Sequence, residues 1–77
     1  MSKDDTQVSA EQWVIETCRD FRLPVEAAED DFFGIGGTSI TLMRLAARAE
    51  EEFGVALEPE EILEASTLRS IAALLAR

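Results

Sequence analysis

No stretch of this chain alternates apolar and polar residues as a strand does, whereas three stretches space their apolar residues along one face of a helix. That periodicity points to an all-α fold. Ser9-Ala10-Glu11-Gln12 reads as a capping box with Ser9 as N-cap, flanked by Val8 and Trp13 at the hydrophobic-staple positions. A first helix is therefore expected from Ser9 to about Phe21. Val14, Cys18 and Phe21 make its buried stripe, flanked by Trp13, Ile15 and Thr17. Leu23-Pro24 ends it. A second helix is expected from Thr38 or Ser39 to just before Gly54, and a short third one over Pro59–Glu64 with Pro59 at N1. A fourth, capped by Ser66 or Thr67, carries Leu68, Ile71, Ala72 and Leu75 at i, i+3, i+4 and i+7. The expectation is a four-helix bundle with a short third helix and a long loop between helices 1 and 2.

That loop, residues 22–38, shows no periodicity, and connections of such length in a compact domain are often functional. It has apolar anchors of its own in Leu23, Val25, Phe32, Phe33 and Ile35, and residues 27–31 are expected to form a short helical turn. At least one of Phe32 and Phe33 should pin the loop to the core.

Composition narrows the function. Seventy-seven residues make one small domain, which buries about 60% of its unfolded surface around a core one layer deep. With no His, the chain has no imidazole base, no His-dependent triad and no His metal ligand. A net charge of -9 argues against tracking a nucleic-acid backbone. Lone Cys18 forbids an internal disulfide, suits a reducing cytoplasm, and on the buried stripe acts as a small core hydrophobe. No apolar run approaches the roughly 18 residues of a membrane span, and Met1-Ser2-Lys3-Asp4-Asp5 lacks the apolar stretch of a signal peptide. Residues 1–7 are expected as a disordered tail, residues 8–77 as the domain of a discrete, monomeric protein.

On a wheel at about 100° per residue, the second helix has two apolar arcs. Leu42, Leu45, Ala46, Ala49 and Phe53 form the core stripe, while Ile40, Met43 and Ala47 lie opposite, beside Ser39, with Arg44 and Glu51 at their border. This outer patch reads as a partner-docking surface or as chance exposure. Glu50-Glu51-Glu52 either steers a basic partner or is a solvated helix end.

Before that helix stands Gly34-Ile35-Gly36-Gly37-Thr38-Ser39. It lacks the Lys of a P-loop, and Ser39 stands where a dinucleotide fingerprint needs its third Gly. The acids at Asp30 and Asp31 lack the alternation of a calcium loop. What remains is a hydroxyl at a helix N-terminus, where free N–H groups and the macrodipole favour an anion such as a phosphodiester, behind two glycines that let another protein approach. Thr38 or Ser39 read simply as an N-cap is the plainer alternative.

The run Asp31-Phe32-Phe33-Gly34-Ile35-Gly36-Gly37-Thr38-Ser39-Ile40 resembles the phosphopantetheine attachment motif of carrier proteins, and is most similar to the peptidyl carrier (thiolation) type. The resemblance continues through Met43-Arg44-Leu45, Glu51-Glu52-Phe53-Gly54-Val55, Glu64-Ala65-Ser66-Thr67-Leu68 and Ile71-Ala72-Ala73-Leu74-Leu75, and covers about residues 10–76. Thr38 stands where His or Asp is usual, Ile40 where Leu is usual and Ser66 where Pro is frequent, which blurs the peptidyl and acyl subtypes. The resemblance implies a non-catalytic bundle of acyl-carrier-protein type with 4'-phosphopantetheine covalently on Ser39, next to Gly36, Gly37 and Thr38. It implies docking through Phe33, Ile35, Ile40, Met43, Arg44 and Ala47. The implied partners are a phosphopantetheinyl transferase, an adenylation enzyme, and condensation, ketosynthase or tailoring enzymes, in nonribosomal peptide or hybrid biosynthesis; no metal, nucleic acid or membrane is implied. An acyl carrier of polyketide or fatty-acid synthesis and an unmodified helical interaction module are the alternatives.

Overall fold

A computed structural model describes the backbone of residues 3–76 and the side chains of residues 6–76. Four helices follow in order: α1 (Lys3–Asp20), α2 (Ser39–Phe53), α3 (Pro59–Glu64) and α4 (Leu68–Ala76), with no strand among the described residues. The arrangement is the all-α, four-helix one with a short third helix that the periodicity predicts.

The start of α1 corrects the capping-box reading. The helix begins at Lys3, so Ser9 and Gln12 lie inside it and Ser9 caps nothing. Val8 is 57% exposed and forms no staple. Of the expected tail, Met1 and Ser2 lie outside the described residues, and from Lys3 the backbone is already helical. Packing outweighs the local signal. Fully buried Ala10 extends the stripe of Val14, Thr17 and Cys18 one turn upstream, against α4. Gln7 Nε2 donates to Glu11 Oε2 at 3.2 Å and to the Arg69 carbonyl at 3.3 Å, which ties this turn to the last helix.

The core joins these residues to Phe32 from the loop, Leu42, Leu45 and Ala49 from α2, Ile62 from α3, and Leu68, Ile71, Ala72 and Leu75 from α4. The apolar stripes of α2 and α4 are thus buried as their spacing predicts. Phe21 and Phe53 are half-buried at the margins. Trp13 meets Phe53 edge-on, with ring centroids 5.0 Å apart, and closes one end of the core. Burial pushes the Cys18 thiol up to about 11, so it is a protonated core group.

Residues 21–38 form an ordered connection held by backbone bonds to Ser66 and to the first residues of α4. Phe32 N–H donates to the Ser66 carbonyl (2.8 Å), Leu68 N–H to that of Asp30 (3.0 Å) and Arg69 N–H to that of Ala28 (2.8 Å). Residues 27–31 hold a single hydrogen-bonded turn, Asp30 N–H to the Ala27 carbonyl, and no helix. The Asp30 carboxylate accepts from the Glu26 and Ala27 amides, a local bond that competes with helix continuation and holds its pKa below the ordinary value.

Candidate functional site

The loop delivers its last residues to α2 through contacts set by Phe32 and Gly37. Phe32 is fully buried and stacks edge-on against Phe33, centroids 5.3 Å apart. The Gly37 N–H donates to the Phe32 carbonyl at 2.9 Å. A β-carbon on Gly37 would overlap both that oxygen and the Phe32 ring, so this position excludes any side chain. Gly36 has φ 102°, which L residues rarely adopt. Both glycines therefore have a reason inside the domain, besides any approach of another protein.

Asp31 fastens the other side of the loop. Its carboxylate accepts from the Ser66 hydroxyl and from the Gly34 N–H (2.8 Å), and these bonds, the Ser66 one first, hold its carboxyl below the usual range.

Thr38 resolves the choice of cap. Its hydroxyl accepts from the Thr41 N–H at 3.3 Å, while Thr41 Oγ1 accepts from the Thr38 N–H at 3.1 Å, a reciprocal box. Ser39, the first residue of the helix, is released from capping. Its side chain is exposed and makes no hydrogen bond, and no acidic residue stands in the first turn of α2. An unused hydroxyl thus sits at the positive end of a 15-residue helix.

The outer patch of α2 faces solvent as its wheel predicts: Ile40 is 68% and Met43 70% exposed, and Ala47 and Arg44 are exposed beside them. Phe33 is half-buried and lines a groove with Ser39, and Ile35 is half-buried against the core. That groove, about 270 Å³ between α2 and α3, is floored by Leu42 and Ala46 and walled by Met43, Leu57, Pro59 and Leu63. Leu63 is 67% exposed. The sequence reading missed this far wall. Its one signal is the adjacency Ile62-Leu63 in a six-residue helix that buries only Ile62. Three of the four large apolar side chains exposed among the described residues, Ile40, Met43 and Leu63, thus surround the start of α2.

The chain is 48% identical over 46 residues to a PKS-NRPS hybrid synthetase (cheA) of Chaetomium globosum, covering 60% of this chain and 1% of that protein. It is 42% identical over 53 residues to the PKS-NRPS hybrid synthetase psoA of Aspergillus fumigatus, covering 69% and 1%. To enterobactin synthase component F of Shigella flexneri it is 35% identical over 51 residues, covering 66% and 4%. The chain therefore spans only a few hundredths of the length of these relatives. No solved structure matches it. The family model for the phosphopantetheine attachment site, whose members carry 4'-phosphopantetheine covalently on a serine, matches residues 12–75. With most of its length matched, this chain belongs to the phosphopantetheine attachment site family of non-catalytic carrier domains.

Proposed function

We propose that Ser39 carries the 4'-phosphopantetheine and that the domain is a peptidyl-type carrier in nonribosomal peptide or hybrid biosynthesis, working in the cytoplasm as a monomer. The observation that carries the assignment is the division of labour at the start of α2: Thr38 caps the helix and Ser39 is left exposed without a partner. The residues fit the group. A phosphodiester on Ser39 Oγ meets the free N–H groups of the first turn, no nearby carboxylate on that turn opposes it, and Gly36 and Thr38 leave the approach open.

When bound, the group supplies a flexible arm ending in a thiol that holds acyl or aminoacyl cargo as a thioester. The chain itself presents Ser39 at a fixed place and leaves its hydroxyl proton for another protein to remove. It has no His, and α2 offers no acid in its first turn, which suits a base supplied by a phosphopantetheinyl transferase, the partner that the carrier resemblance implies. Tethering raises the concentration of cargo at each partner enzyme. Ile40, Met43, Arg44 and Ala47, with Phe33 and Ile35 across the loop, are the proposed docking residues for adenylation, condensation, ketosynthase or tailoring partners.

Intact mass after incubation with coenzyme A and a promiscuous transferase tests the assignment. Addition of one arm that disappears in Ser39→Ala is the expected result, and no addition, or addition that persists in that variant, overturns it. An acyl-carrier role stays as a second reading, because the hybrid synthetases it resembles join polyketide and peptide chemistry by name. Loading with amino acids by an adenylation enzyme supports the peptidyl role, and loading only by an acyltransferase replaces it.

A further inference from the structure

The acids of this chain outnumber its bases 16 to 7, yet one face is basic. A cleft of about 610 Å³ opens where the end of α1 meets the outer side of α2. Arg22, Arg44 and Arg48 line it, with Asp20 and Glu51 as its acids. Arg48 spends its charge inside the domain: it pairs with Asp20 at 3.6 Å and lies over the Phe21 ring, 5.0 Å from the centroid. The guanidinium groups of Arg22 and Arg44 make no hydrogen bond or ion pair. Ala47 lines the same cleft and also belongs to the Ile40-Met43 patch, so the two surfaces are continuous.

The backbone of Arg22 gives a second, independent sign. Its N–H bonds to the Arg19 carbonyl (2.8 Å) and the Leu23 N–H to that of Cys18 (3.0 Å), the paired bonds that close a helix C-terminus around a left-handed residue. Arg22 has φ 66°, the same conformation that Gly54 adopts at the end of α2 with φ 67°. Among the described residues, Arg22 is the one non-glycine residue with positive φ. The chain holds an exposed arginine at a left-handed helix end that glycine would fill without strain, a position where the side chain is kept at a conformational cost.

We propose that this face docks a partner protein whose contact surface is apolar at its centre and acidic at its edge, with carboxylates reaching Arg22 and Arg44 while apolar side chains cover Ile40 and Met43. The inference rests on the carrier reading above and adds the charge of the partner. Repulsion from the net charge of -9 disfavours an extended polyanion, whereas a compact protein with a local acidic edge meets only this basic face.

The test titrates the isotope-labelled 77-residue protein, followed by amide NMR, with an amphipathic helical peptide bearing Leu on one face and Glu at its flanks. The same peptide with Lys in place of Glu and a poly-uridine oligomer serve as comparisons. The Glu peptide is expected to shift the amides of Arg22, Arg44, Ala47 and Arg48, and to weaken at high salt. Arg22→Gly should raise the thermal midpoint by removing the strain, yet weaken this binding about three-fold, the size of one exposed charge pair. The double charge reversal R22E/R44E should weaken it about ten-fold. No shift with the Glu peptide, stronger binding of the Lys peptide to this face, equal binding of poly-uridine there, or unchanged affinity in both variants overturns the proposal. Arm addition by the transferase is read separately by mass, so failure of the carrier reading and failure of this surface are distinguishable.

Discussion

Two junctions in this domain use the same pair of residues in opposite order. Where α2 begins the chain reads Thr38-Ser39, and just ahead of α4 it reads Ser66-Thr67. In both, the threonine caps the helix: Thr38 accepts from the Thr41 N–H, and Thr67 from the Ser70 N–H at 3.1 Å. The serines differ because one follows its cap and the other precedes it. Ser66, before the cap, turns back to the Asp31 carboxylate and ties loop to helix. Ser39, after the cap, stands on the first turn with nothing to bond. Position relative to the cap decides which hydroxyl is tied into the fold and which is left without a partner.

The largest expected effect breaks that comparison at its functional end. Ser39→Ala should abolish arm addition in the mass assay while Ser66→Ala retains it, and both should keep the helical circular dichroism signal. If Ser66→Ala abolishes addition and Ser39→Ala does not, the two junctions have been assigned the wrong way round.

A smaller effect concerns the approach to Ser39. Gly37→Ala forces a methyl into the Phe32 ring and carbonyl, and overpacking of this kind lowers stability by about 1–3 kcal/mol. The same substitution at Gly34, whose added carbon meets Asp31 at 3.3 Å, should be milder. Urea denaturation ranks the two, and equal losses would remove the Phe32 contact as the reason for glycine at position 37.

Next come the caps themselves. Thr38→Ala and Thr67→Ala should each lower stability by about 1 kcal/mol. A negligible loss in Thr38→Ala would mean that Ser39 has taken over the cap, and its hydroxyl would no longer be free.

These junctions also mark what could be read from the chain alone. The bounds of α3, the end of α2 and the buried stripe of α4 were legible, because Pro59, Gly54 and the spacing of Leu68, Ile71, Ala72 and Leu75 are local signals that the packing obeys. The exposed patch of Ile40 and Met43 was legible as well, since a helix wheel fixes which arcs oppose each other. The start of α1 was misread, because Ser9-x-x-Gln12 is also a local signal but Ala10 and Gln7 are held by α4, near the far end of the sequence. The wall made by Leu57, Pro59 and Leu63 was missed, as six residues of α3 are too few to show a period and its placement against α2 is tertiary. The choice between Thr38 and Ser39 as cap was open in the sequence, since both residue types cap well and only the reciprocal bond with Thr41 separates them.

The smallest effect lies at the Ser66 junction and depends on pH. The bond from the Ser66 hydroxyl, with the Gly34 amide, lowers the Asp31 pKa from its model-peptide value of 3.8. A carboxyl whose folded pKa lies below its unfolded one adds stability that is fully present above pH 3.8 and fades as pH falls through the lower, folded value. Ser66→Ala removes the first cause of that lowering. The denaturation midpoints of the parent chain and Ser66→Ala should therefore differ most near neutral pH and converge in acid. Ser39→Ala, which removes no bond to a carboxylate, should track the parent with a constant offset at every pH. A Ser66→Ala difference that does not shrink in acid would mean that the Ser66 hydroxyl stabilises the junction independently of the charge on Asp31.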